Sequence, residues 1–337
     1  MSDASAPTPA PPVGHEIRVD ALTGLRSIIA PGRAGRPAAL AAVPPAGPVP
    51  EQDDPFAAGH EHRTPPALLE VPHPDGRAGW AVRVVPNLFP ALTPDAPDPE
   101  PSHKPDLFTA VPATGACEVI VNAPDPVQSL ADLDVAQVQL AVDTWRARMR
   151  EHAAHAYVHL HVNEQSGGGA SQAHTHAQLH ALDFVPALVA RERERAGAYA
   201  VRTMGGDLLS DLLQEEVRLR RRIVAIDDEA VLMAPFASSS PYRLMLVPRR
   251  GRLRFEDEDG PSGAALLHDG LRRLTRRFGA TPPLTLWVRT APQGAERFCW
   301  HVDIVPRLAP LAGLELGTGV HLNPIPPEQA AAELRDA

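Results

Sequence analysis

The densest chemistry in the chain lies in residues 163–180, NEQSGGGASQAHTHAQLH. If His174 to His180 form a strand, alternate side chains share a face, so His174, His176, Gln178 and His180 line one side and Thr175, Ala177 and Leu179 the other. Gly167–Ser171 just before it forms a flexible turn whose backbone N–H groups and Ser171 hydroxyl can approach phosphate oxygens. A neutral imidazole beside such a turn suits attack on phosphorus, because its phosphoramidate is reactive enough to pass the group onward. Gln178 can then donate an amide hydrogen bond to a non-bridging oxygen. The same alternation suits a metal, since two histidines at i, i+2 converge on one ion. Spacing alone therefore leaves nucleophile, metal ligand and solvated strand open. His159 and His161 read as packing or hydrogen-bonded sheet residues, and His152 and His155 as surface residues at a helix end.

The elements that must position this stretch are legible as alternating and helical patterns. Strand signals stand at EIRVD and SIIAP, at WAVRVVPN (80–87), at EVIVNAP (118–124) and at AYVHLHVN (156–163). A helix is predicted from about Leu130 to His152, with Ser129 as cap and Val135, Val138, Val142, Trp145 and Met149 at helical spacing. A second helical region runs from Pro186 towards Arg222 with a break at Gly205-Gly206. The strands RIVAID, AVLMAPF, YRLMLVP, LTLWVRT and FCWHVDIVP follow, with one helix at Gly263 to Phe278 among them. Both halves thus place antiparallel-looking strands with a helix on one side, an α+β pattern. Residues 41–78 read as a long irregular segment, of the kind that is functional or metal-stapled. Residues 1–12 have the composition of a disordered tail.

Composition narrows the classes of function. The chain has 337 residues, room for one large domain or two ordinary ones, and 44% of them are hydrophobic, as in a soluble globular protein. No apolar run approaches the ~20 residues that span a bilayer, and no signal-peptide pattern opens the sequence, so a cytoplasmic protein with no membrane partner is expected. A net charge of -9 argues against a general nucleic-acid binder, yet a few local arginines suffice for a phosphorylated substrate. Cys117 and Cys299 suggest neither a local metal motif nor a disulfide scaffold.

Four segments together resemble the galactose-1-phosphate uridylyltransferases of the histidine-triad superfamily. They are DALTGLRSIIAPGRAGRP at 20–37, VRVVPNLFPAL at 82–92, GASQAHTHAQ at 169–178 and AGLELGTGVHLNP at 312–324. The resemblance runs from about Ile17 to Glu328 and implies a duplicated histidine-triad-like α+β fold. Expected units are a tail at 1–12, a catalytic domain at 13–195 and a second domain at 196–337. It implies that His176 is the nucleophile that becomes uridylylated, that Gln178 steadies the transferring phosphate, and that His174 sits beside them. Arg33, Arg36, Asn87, Phe89, Asn163 and Ser171 match nucleotide- or phosphate-contacting positions, and Glu315 a residue near the hexose. The implied reaction is a ping-pong exchange between UDP-glucose or UDP-galactose and a sugar-1-phosphate, in a homodimer whose subunits complete each other's sites. On residue type alone Arg33 and Arg36 equally suit a solvated pair, Asn87 a strand end, Phe89 a core aromatic and Glu315 an exposed charge.

The departures from the family pattern concern metal and substrate. The family's Cys-x-x-Cys falls at Asp54 and Ala57, a third ligand at His174 and a fourth at Pro126, so no structural zinc is expected. A set of Asp54, His60, His62 and His174 is the alternative zinc site. A second metal position maps to Glu192, Arg289, Cys299 and His301, where an arginine disfavours a cation. Thr175 replaces a proline, Glu164 places an acid near the nucleotide site, and Leu314 and His321 replace aromatics. These changes leave room for another sugar-1-phosphate or another base. The rival readings are a dinucleoside polyphosphate phosphorylase or adenylyltransferase of the same superfamily, and a non-catalytic nucleotide-sugar-binding relic.

Overall fold

The computed structural model describes residues 14–35, 40, 41, 43, 44, 47, 49, 51–258, 260 and 263–337; the N-terminal tail and Arg36 lie outside the described residues. Thirteen strands occur among them: β1 Glu16–Val19, β2 Arg26–Ile29, β3 Leu69–Pro72, β4 Trp80–Pro86, β5 Gly115–Val121, β6 Tyr157–Glu164, β7 His176–Leu182, β8 Ile223–Ile226, β9 Ala230–Met233, β10 Leu244–Pro248, β11 Leu284–Arg289, β12 His301–Pro306 and β13 His321–Asn323. The helices are α1 Val135–Glu151, α2 Ala187–Arg202, α3 Leu208–Leu219, α4 Ala264–Phe278, α5 Gly313–Thr318 and α6 Pro327–Arg335.

Ten strands form one antiparallel sheet in the order β3-β4-β5-β7-β6-β11-β12-β10-β9-β8. The order repeats: β3-β4-β5-β7-β6 meets its counterpart β8-β9-β10-β12-β11 at the β6–β11 seam, where Leu284 faces Glu164 and Trp287 faces His161. The fold is the duplicated α+β arrangement that the resemblance implies. A small sheet, β1-β2-β13, stands apart; its β2–β13 pair is parallel.

Each half carries its long helix between equivalent strands, α1 between β5 and β6 and α4 between β10 and β11. Asp134, not Ser129, starts α1, accepting from Gln137 N at 2.7 Å. Ser129 instead caps the short 3-10 turn Leu130–Asp132, so the predicted single helix is two pieces. Val138, Val142, Trp145 and Met149 of α1 and Leu267, Leu271 and Leu274 of α4 join one core with the inward residues of both half-sheets. Gly270 lets α4 approach closely, since a Cβ there would stand 2.7 Å from Leu232 Cδ2.

The opposite side of the sheet differs between the halves. α3 lays Leu209 and Leu213 on Ile223, Val231, Met233, Met245 and Val247 and covers the C-terminal half. The segment at 41–78 also contains β3, which the pattern missed; as an edge strand ending in proline, Leu-Glu-Val-Pro is too short for alternation to register.

Candidate functional site

His176 is the first residue of β7, between β5 and β6. Ala177, Leu179 and Ala181 turn to the core, which sends His176, Gln178 and His180 to the side that no helix of the core covers. Its Nδ1 donates to the His174 carbonyl at 2.8 Å, so the lone pair belongs to Nε2. Burial pushes its pKa below the ordinary histidine value, although the His174 carbonyl favours the charged form. The ring is 3% exposed and lies 5.2 Å from the Phe56 ring, centroid to centroid. The result is a neutral imidazole in one tautomer, the state a nucleophile at phosphorus requires.

His176 and Gln178 form one wall of a cleft. Asn87 and Phe89 supply another, with Asn87 Oδ1 accepting from Phe89 N at 2.9 Å in a turn that leaves Phe89 86% exposed. Ser171 and Gln172 also line it, and Val119 lies beside Gln178 on β5. Phe56, Arg63 and Thr64 line it from the 54–65 segment. None of these three was singled out in the sequence, because 41–78 has no period to read. Their only signal was position beside Asp54 in the segment where the family's thiolates fall.

The remaining expected residues that are described lie outside this cleft. Arg33 closes the 3-10 turn Pro31–Arg33 after β2, and its buried Nε has no hydrogen-bond partner among the described residues. Asn163 sits on β6 opposite Thr285, with its side chain facing Gly169. Glu315 lies in α5 and accepts from Ala312 N at 3.0 Å. His174 precedes β7 and turns inward rather than lining the open face. His159, His161 and His180 are sheet residues whose rings stack at 5.3 and 5.4 Å; burial pushes His159 down to about 3 and His161 to about 4.

Two expectations are corrected by packing. The glycine turn is clamped, not flexible: a Cβ on Gly168 would come within 2.3 Å of Leu284 O, and Thr285 Oγ1 donates to Gly168 O at 2.9 Å. Gln165, at φ 60°, donates to Thr281 O from the same turn. Glu164 does not face the cleft. It points under the sheet, accepting from Ser129 Oγ at 2.6 Å and Leu130 N at 2.7 Å, and burial pushes its carboxyl up to about 7.

Residues 12–186 match the family described as galactose-1-phosphate uridyl transferase, N-terminal domain. Across 333 residues, 95% of this chain and 92% of the relative, the protein is 27% identical to an ADP-glucose phosphorylase of Arabidopsis thaliana. It is 28% identical over 277 residues to the galactose-1-phosphate uridylyltransferase of Haemophilus influenzae, with 78% of each chain covered. A crystal structure of the Arabidopsis thaliana ADP-glucose phosphorylase with bound ADP-glucose superposes with a TM-score of 0.80 at 25% identity, covering 96% of this chain and 99% of that one.

The chain belongs to the galactose-1-phosphate uridylyltransferase family.

Membership makes it an enzyme of nucleotidyltransferase or phosphorylase type. No described helix is long and apolar enough to cross a membrane.

The residues at the family's zinc position do not fit that ion. Asp54 replaces one thiolate and Ala57, buried, the other. His174 Nδ1 is hydrogen-bonded to Asp54 Oδ2 at 2.6 Å and its Nε2 to the Ala123 carbonyl at 2.8 Å, so both ring nitrogens are already engaged. Burial opposes ionisation of Asp54, yet hydrogen bonds from His174 and Phe56 N outweigh it and hold the carboxyl below its usual range. His60 donates its Nδ1 to the Asp54 backbone carbonyl at 2.7 Å, and among the described residues no group of three or more His, Cys, Asp or Glu is placed to hold a metal. At the second position Arg289 Nε stands 3.4 Å from Glu192 Oε2, filling the place of a cation with its own charge. Cys117 and Cys299 are buried free thiols.

Proposed function

We propose that the protein transfers a nucleoside monophosphate from a nucleotide sugar to a phosphorylated acceptor through a covalent nucleotidyl-His176. The supporting observation is the bond from His176 Nδ1 to the His174 carbonyl, which leaves Nε2 as the nucleophilic nitrogen of a ring beside Gln178 and Ser171. In the first half-reaction Nε2 attacks the α-phosphorus, and the bond from that phosphorus to the bridging oxygen breaks. The hexose-1-phosphate leaves with that oxygen. In the second, an oxygen of the incoming phosphate attacks, the P–N bond breaks, and its electrons return to Nε2. Gln178 donates its amide to a non-bridging oxygen as charge builds there. Phe89 and Phe56 offer faces for the base, and Asn87, Ser171 and Arg63 offer polar contacts.

UDP-glucose with galactose-1-phosphate is the substrate pair assigned by this reading. A second pair, ADP-glucose with inorganic phosphate, is favoured by the alignment to an ADP-glucose phosphorylase over 95% of the chain, against 78% for the uridylyltransferase. The protein acts as a homodimer in this reading. Among the described residues its cleft lining includes nothing from 312–324 or from Arg33, and in this reading those segments reach the sugar phosphate from a second copy of the chain.

The test is intact-mass measurement under non-acidic conditions after incubation with UDP-glucose or ADP-glucose. A uridylyl adduct lost in His176→Ala supports the first pair, and an adenylyl adduct the second. Failure of both donors to label His176, with no sugar-phosphate exchange, defeats the proposal.

A further inference from the structure

The family's zinc position invites the question of what fastens the cleft when the thiolates are gone. Residues 54–65 carry Phe56, Arg63 and Thr64 into the cleft and contain only a single short 3-10 turn, Glu61–Arg63. A segment of this kind needs a fixed anchor to hold cleft residues in place.

We propose that the buried Asp54–His174 pair is that anchor, a metal-free staple that fastens the 54–65 segment to the catalytic strand and sets the carbonyl that orients His176. The reading rests on His176 as nucleophile, and Asp54 acts through His174 as a positioning residue.

The geometry carries this through one continuous chain of contacts. Phe56 N donates to Asp54 Oδ1 at 2.9 Å, which places the Phe56 ring against the nucleophile. Asp54 Oδ2 receives His174 Nδ1 at 2.6 Å, and His174 Nε2 is tied at 2.8 Å to Ala123, just past β5. The ring, held at both ends, acts together with the Thr175 N–H bond to the Val127 carbonyl at 2.7 Å to set the peptide whose His174 carbonyl receives His176 Nδ1 at 2.8 Å. Both side chains are essentially dry, at 0% and 1% exposure, where such a bond is neither screened nor replaced by water. A metal performs the same task by drawing two thiolates and one imidazole together. Here one carboxylate accepts from the imidazole and from the loop at once.

The test combines nitrogen-15 NMR of histidine-labelled protein, zinc content after dialysis, and the rate of His176 adduct formation with the donor that labels it. His174 is assigned through His174→Asn. In the wild type neither added zinc nor 1,10-phenanthroline alters the nitrogen-15 shifts of the His174 ring. Asp54→Ala shifts the His174 Nδ1 resonance and slows adduct formation roughly 10–100-fold, the size typical of losing a partner behind a ligating or reacting group. Asp54→Asn, which keeps an acceptor oxygen and the shape, recovers part of both and serves if Asp54→Ala does not fold. Stoichiometric zinc in the dialysed wild type, with a His174 ring whose shifts move on chelation, overturns the proposal. So does an unchanged adduct rate in both variants. If no donor labels the wild type, the assignment of His176 falls, while the NMR signal and zinc content still decide the staple.

Discussion

His176 and His301 occupy matching places in the two halves of the large sheet. Each opens its strand, β7 and β12, and each donates Nδ1 to the backbone carbonyl two residues earlier, at 2.8 and 3.3 Å. Gln178 and Asp303 follow two positions later. From there the halves diverge. His176 faces a cleft, whereas Glu192 of α2, Arg289 of β11 and Asp303 surround His301, and Arg243 donates to Asp303 from two nitrogens at 3.1 and 2.7 Å. Burial works against the Asp303 carboxylate, but the Arg243 guanidinium holds its pKa below the usual range. Beside this cluster α3 lies on the surface that the N-terminal half leaves open. The same backbone thus borders an open cleft in one half and a buried charge cluster in the other, and the halves differ in what covers the strand.

The sharpest way to break this comparison is to remove each histidine in turn. His176→Ala should abolish the nucleotidyl adduct and lower turnover by about 10⁴-fold or more, while His301→Ala should still form the adduct on intact mass. Labelling that survives His176→Ala and disappears with His301→Ala would reverse the roles of the halves. The residues two places on should separate in kind. Gln178→Ala is expected to lower kcat roughly 10²–10³-fold with an unchanged melting temperature. Asp303→Asn leaves the Arg243 charge without its partner and should cost about 3–5 kcal/mol in denaturant unfolding, with the chemistry intact.

The seam between the halves offers a pH test. Glu164, whose carboxyl is pushed up to about 7, is protonated more readily in the folded protein than in the unfolded chain. Its contribution is therefore fully present below the ordinary glutamate pKa and is lost as pH rises through about 7. The wild type should lose roughly 3 kcal/mol relative to Glu164→Gln across that window, by chemical denaturation at stepped pH. A difference that does not vary with pH would remove Glu164 from the account. The smallest effect belongs to the open cleft. Phe89→Ala should leave stability within about 0.5 kcal/mol, since the ring is exposed, and raise KM for the donor several-fold. A large loss of stability would make Phe89 a packing residue after all.

Much of this was legible in the sequence because it is local. The alternation of Ala177 and Leu179 against His176 and Gln178 assigns faces once β7 exists, and α1, α2, α3 and α4 announce themselves through apolar spacing or glycine breaks. Local reasoning failed where a residue's partner is remote. It placed His174 on the open face with His176, yet His174 precedes the strand and turns to Asp54, 120 residues away. The family comparison puts the acid of Glu164 near the nucleotide, although strand alternation sends that side chain to the core with Val162. Local reasoning took the glycine triplet for a loose cradle, when Gly168 is needed for contact with β11 across the seam.

The sequence by itself determined the family, the duplicated strand-and-helix order and the strand that carries His176, since periodicity and ordered motifs are properties of neighbours along the chain. Only the tertiary structure decided that His174 is tied to a carboxylate, that 54–65 lines the cleft, and that α3 covers one half and not the other. Those outcomes depend on which distant surfaces meet when the sheet closes at β6–β11, and no spacing within one segment encodes that meeting.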